Sequence, residues 1–316
     1  RVVSTTAPLI ATFLAHKLFR LSNCQFSTRD FCQIFTGLQF FMQNFTDVFA
    51  CKKRPHPPVE AMRAWHVLLF LALAAPAEEL PKKKAFEDFL VAPLRIHLLQ
   101  TPGELNLTTT LTEKDIDRIL GKVNRIWAQA GIHFSLESLV REPAALPEAY
   151  RQNYRKRSLR WLLSLRQNKT LAPERFHVFY MKRLGVNGVY LGRDGMFVKD
   201  TARLRTVKGG LDEPIPRVTA HELGHALTLR HRQNVTNLMA SGTSGWSLNA
   251  AEIKQSRDAL RRHLWVQPAP AILRRADAHF KAGNHIKARA EYRELVRIPL
   301  DIPEIRRARE RFQAKK

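Results

Sequence analysis

The stretch His221-Glu222-Leu223-Gly224-His225, with His231 six residues further on, constrains the fold more than any other feature of the chain. Positions i and i+4 of a helix share one face, so His221 and His225 can point at a single metal ion. Glu222 lies one residue round from them. It can reach a water on that metal without being a ligand, and can take its proton. His231 is too distant along the chain to share that helix face. For it to serve as third ligand, the helix must end soon after His225 and the chain must turn back. Catalytic zinc needs three protein ligands and an open fourth position, so the spacing predicts a helix, a tight turn and a returning segment.

The flanking sequence supplies elements to carry such a helix. Leu94 to Leu99 alternates like a strand. Thr112 has the chemistry of an N-cap, with Glu113 and Asp115 in the first turn. Ile116, Ile119, Leu120, Val123, Ile126 and Trp127 follow at helical spacing, and Gly131 closes the helix. Ile132 to Leu139 reads as a second strand, Arg151 to Leu165 as a basic helix, and Phe176 to Met181 as a third strand. Val189 to Leu191 and Met196 to Val198, joined through Gly192-Arg193-Asp194-Gly195, form a plausible hairpin. Asn249 to Trp265 is a further amphipathic helix. The order predicts an α/β or α+β domain over 92–267.

With Met239 eight residues after His231, in Asn237-Leu238-Met239, the pattern H-E-x-x-H-x-x-x-x-x-H resembles the metzincin zinc endopeptidases, and its His-to-Met interval that of the matrixin branch. The resemblance is strong over 185–265. From 92 to 184 it extends only to the order of strands and helices. It implies a twisted mixed sheet with an active-site helix, and a small C-terminal subdomain containing the Met-turn. It makes His221, His225 and His231 the Zn2+ ligands, Glu222 the general base and Met239 the Met-turn residue beneath the metal. A protein or peptide substrate would lie extended along an edge strand within Gly188 to Val198, and Ser241 to Trp246 would help form the specificity pocket. The chain departs from the family at one position: Thr228 stands where the family has glycine at the turn. A β-branched residue is strained at positive φ. Glu252, on the next helix, is therefore the alternative third ligand. A second alternative is a binding protein with a vestigial metal site.

The ends of the chain read differently. All three Cys (Cys24, Cys32, Cys51) and nine of the eighteen Phe fall in residues 1–61, which show no sustained helical or strand period. Met62-Arg63, an apolar stretch from Trp65 to Ala75, and Ala75-Pro76-Ala77 have the parts of a secretory signal in order. The expectation is translation from Met62, a signal over 62–77, a linker over 78–91 and an exported protein of the cell envelope or the medium. No run of eighteen apolar residues predicts a transmembrane anchor. Pro268-Ala269-Pro270 reads as a linker into a basic helical tail, residues 268–316, with a turn at Gly283-Asn284. Ala276, Phe280, Gly283, Ala288, Tyr292 and Leu295 lie near the spacing of one tetratricopeptide-like (TPR-like) helical hairpin. The formal net charge of +24 predicts attraction to polyanions such as acidic envelope polymers. With no glycine-rich phosphate loop and no aromatic-interleaved basic array, specific nucleic-acid binding is not expected.

Overall fold

The computed structural model describes residues 84–314. The expected signal at 62–77, residues 1–61 with the three Cys, and the first part of the expected linker lie outside the described residues.

The chain is a mixed α and β protein built on a mostly parallel sheet. Its strands are β1 (Leu90–Leu99), β2 (Ile132–Glu142), β3 (Phe176–Met181), β4 (Gly188–Tyr190), β5 (Met196–Lys199) and the two-residue β6 (Gln267–Pro268). The order is β2-β1-β3-β5-β4, with β6 pairing β1. β1, β2, β3 and β5 run parallel, whereas β4 runs antiparallel to β5 and forms the edge. The expected hairpin of two short strands is this β4–β5 pair.

Helix α1 (Glu113–Trp127) begins with a reciprocal capping box between Thr112 and Asp115, which satisfies two otherwise unpaired backbone donors. Its face Ile116, Ile119, Leu120, Val123, Ile126 and Trp127 is buried on the sheet. Buried Asn124 pairs with both the carbonyl (3.0 Å) and the N–H (2.8 Å) of Phe134, locking α1 to β2. β3 is buried along its whole length. Phe176, Val178 and Tyr180 meet this main core, while Phe179 and Met181 meet a second apolar cluster with Tyr150, Leu162 and Leu165. Both faces of the sheet are thus covered, as is usual for parallel strands.

Two expectations are corrected. Residues 151–165 do not form one basic helix. Helix α2 (Pro147–Asn153) stops early, and a 3-10 segment, Arg160–Leu165, follows. Arg151 and Arg155 would sit one helical turn apart as like charges. Leu159, Leu162 and Leu165 recur every three residues, the period of a 3-10 helix, and they pack into the second cluster. The Pro268-Ala269-Pro270 stretch is not a free linker either: Gln267 and Pro268 pair with Val91 and Leu90.

The tail holds three helices, α5 (Ala269–Lys281), α6 (His285–Leu295) and α7 (Pro303–Gln313), one more than a hairpin. Helix α4 (Ala250–Arg261) precedes them. The tail has its own core, in which Ile272, Leu273, Tyr292 and Ile305 enclose Phe86, Phe89 and Val91. The last residues of the expected linker are therefore buried beneath the tail. Arg311 lies over the Phe280 ring (4.6 Å to the centroid) and bonds Asp277 (2.5 Å), fastening α7 to α5. Among the described residues no helix is long and apolar enough to cross a membrane.

Candidate metal centre

The site is carried by α3 (Pro214–Ala226), which has proline at its first turn and lies mostly buried. The Tyr180 hydroxyl on β3 meets Thr219 Oγ1 at 2.8 Å and anchors α3 to the sheet. The helix ends one residue after His225, and the chain reverses as the third ligand requires. Leu229 N–H donates to Gly224 O (2.9 Å), and Thr228 N–H to His225 O (3.0 Å). This is the Schellman pattern, which places its turn residue in the left-handed region. Thr228 occupies that position with φ 69°, so the turn takes the route expected of glycine despite the β-branched side chain. Gln255 Nε2 bonds the Thr228 carbonyl (2.7 Å) and Oγ1 (3.2 Å) and helps hold it. A non-glycine residue in this region costs roughly 1–2 kcal/mol. Thr228→Gly is therefore expected to raise unfolding stability by about 1 kcal/mol, after the entropy of the freer chain is subtracted. Denaturant unfolding of the metal-free protein measures it.

The turn brings His231 back to the helix. His225 Nε2 lies 3.1 Å from His221 Nε2 and 3.1 Å from His231 Nε2. Tetrahedral zinc with Zn–N of about 2.0–2.1 Å needs ligand nitrogens roughly 3.3 Å apart. His221 Nδ1 donates to Leu238 O (2.8 Å) and His225 Nδ1 to Leu229 O (2.9 Å). A carbonyl can only accept, so these bonds fix the tautomers and leave the Nε2 lone pairs turned towards one another. Burial lowers the pKa of His225, and burial with the neighbouring Arg217 lowers that of His221 to about 3. His221 and His225 are then neutral at pH 7 and turn bare Nε2 lone pairs into the cluster, which suits a cation. Among the described residues this is the one group of His, Cys, Asp or Glu arranged to hold a metal ion.

Glu252 does not join it. Its carboxylate is fully buried and occupied elsewhere, by Arg232 Nε (2.7 Å), Asn237 Nδ2 (2.8 Å) and Asn249 N–H (3.0 Å). It is a tie between the start of α4 and the loop that carries Met239. Asn237 in that loop accepts from Met239 N–H at 2.7 Å. Met239 is buried beneath the helix, and a Cβ on Gly224 would lie 2.6 Å from its sulfur. A side chain at position 224, between the two helical histidines, would therefore displace the end of the methionine.

Glu222 is 4% exposed and makes no hydrogen bond to the described residues. Burial raises its carboxyl to about pKa 8, against the opposing pull of Arg217. It faces a cleft of about 490 Å³ whose walls include β4, the three histidines, Ser241 and Gly242. A Cβ on Gly188 would fall 2.6 Å from Glu222 Oε1, so the absent side chain lets the edge strand approach the carboxylate.

The sequence reading missed Arg217. It is 2% exposed, one turn before His221, and donates to the carbonyls of Gly245 (3.0 Å) and Ala240. Burial lowers its pKa to about 10, which leaves it charged at neutral pH. The signal was its place at i−4 from His221, on the same face of an otherwise apolar turn. Comparison with protein-family models and with curated proteins finds no match.

Proposed function

We propose that this chain is a zinc-dependent endopeptidase of metzincin type, matrixin-like in its third histidine and Met-turn. The observation that carries the reading is the convergence of three histidine Nε2 atoms, two of them tautomer-fixed, beside a buried carboxylate in a cleft bordered by the edge strand β4. His221, His225 and His231 would hold the ion, and their donor set suits zinc. When bound, zinc supplies Lewis acidity that polarises a carbonyl and acidifies water.

The chain's own residues do the rest. The exposed edge of β4 offers backbone groups to an extended peptide. Glu222 takes a proton from the attacking water and passes it to the leaving amine nitrogen. Ser241 and Gly242, on the far side of the cleft, contribute to the pocket beside the cleaved bond. Export through the segment 62–77 would place the enzyme in the cell envelope or the medium, where its positive charge would favour acidic polymers and substrates.

The test is cleavage of a random peptide library by the zinc-loaded protein, with chelated protein as control. Internal cleavage that vanishes on chelation is expected. No zinc-dependent cleavage of any peptide would overturn the reading.

A further inference from the structure

The cations around the cleft gather at one end of the edge strand. β3 ends at Met181, and Lys182 and Arg183 follow it, both exposed. β5 ends at Lys199, which is the register partner of Met181. β4 starts at Gly188, opposite Val198. The topology therefore brings Lys182, Arg183 and Lys199 to the end of the sheet where β4 begins.

Arg203 is held at the same place. Asn187 Nδ2 donates to its carbonyl (2.7 Å), and its N–H donates to Asn187 Oδ1 (3.1 Å). Asn187 and Leu204 both line the cleft. Among the described residues, none of Lys182, Arg183, Lys199 and Arg203 makes a salt bridge. Asp200 is next to Lys199 and accepts from Thr109 Oγ1 (2.7 Å) and Thr110 N–H (3.0 Å), neutral donors, so the cluster sets four cations against one carboxylate. Burial, Arg203 and Arg183 together lower the pKa of Lys199, as expected of cations close enough to repel. At the other end of β4, Arg193 is paired with Asp194 (3.5 Å). Of the two ends of β4, the one where it begins carries the excess of cations over carboxylates.

The polarity of the strand gives this charge a meaning. A peptide adding antiparallel to β4 places its N-terminal half beside Tyr190 and its C-terminal half beside Asn187. Glu222 meets the strand at Gly188, so the cleaved bond crosses there. Residues after the bond then run towards Lys199 and Arg203. At about 3.3 Å per residue, the first few residues after the bond come within reach of these side chains.

Resting on the peptidase reading above, we infer that the enzyme selects substrates with aspartate or glutamate within about three residues C-terminal to the cleaved bond. The rim cations attract the carboxylates in the encounter and hold them in register.

The test uses zinc-loaded full-length protein and two peptides differing only at those positions, Asp and Glu in one, Asn and Gln in its twin. The expected ratio of kcat/KM is about tenfold in favour of the acidic peptide at low salt, shrinking as salt screens the pair. Arg203→Glu is expected to bring the ratio to one or below. Arg183→Glu, on the exposed surface, is expected to lower it as well and guards against a folding failure of the first variant. Equal turnover of the twins, or a preference for acidic residues before the bond, would overturn the inference while leaving the peptidase reading intact. Cleavage of neither twin nor any library peptide would overturn both.

Discussion

Glu222→Gln is expected to lower kcat/KM for peptide hydrolysis by about 10²–10⁴-fold, the usual contribution of a positioned general base. Bound zinc should stay at the parental level, because Glu222 is not among the three clustered histidines. The same substitution is expected to stabilise the metal-free fold. The Glu222 carboxyl is raised to about pKa 8 in the folded chain from an ordinary value of 4.5. As pH climbs through 4.5 the unfolded chain loses this proton while the folded chain keeps it, so folding stability falls until about pH 8. Glutamine carries no such penalty. The variant should unfold at higher denaturant than the parent at pH 8, by a few kcal/mol at most, and like the parent at pH 4. Equal stability at both pH values would contradict the burial assigned to this carboxylate. Full peptidase activity in the variant would remove Glu222 from the mechanism.

Glu252→Ala is expected to destabilise the protein by about 2–4 kcal/mol, because it strands a buried Asn237 amide and the Asn249 N–H and leaves Arg232 without its carboxylate. Under chelation, its denaturant midpoint should fall well below that of His231→Ala. His231 is exposed and makes no comparable buried tie, so its loss should leave the fold nearly unchanged. Zinc content should respond the other way, retained without Glu252 and lost without His231. Zinc lost with Glu252 but kept without His231 would reverse the assignment.

The three-histidine cluster was legible because histidine spacing is a local property. Helical period put His221 and His225 on one face, and the resemblance added His231 and Met239, with Glu252 left as the alternative third ligand. Thr228 was correctly flagged as a strained position, but its consequence was not. The neighbouring backbone bonds hold threonine at φ 69°, and no scan of residue types contains those bonds. α1, β3 and the β4–β5 hairpin were legible because each buries one periodic face. What the sequence hid was long-range. Glu252 reads as an acidic residue on a helix until Arg232 and Asn237 fold onto it. Arg217 reads as a surface cation until the loop at 240–245 caps it. Phe86, Phe89 and Val91 read as linker because the helices that cover them come almost two hundred residues later. In 151–165 the helical reading failed because Leu159, Leu162 and Leu163 fit one face of an α-helix, whereas the buried pair is Leu162 and Leu165, three residues apart.

The central claim is that His221, His225 and His231 form one zinc site. The most direct measurement is elemental analysis of the purified protein after dialysis against trace zinc, with His231→Ala alongside. About one zinc per parent chain and a large loss in the variant are expected. A parent chain that binds no zinc, or a variant that binds as much as the parent, would contradict it.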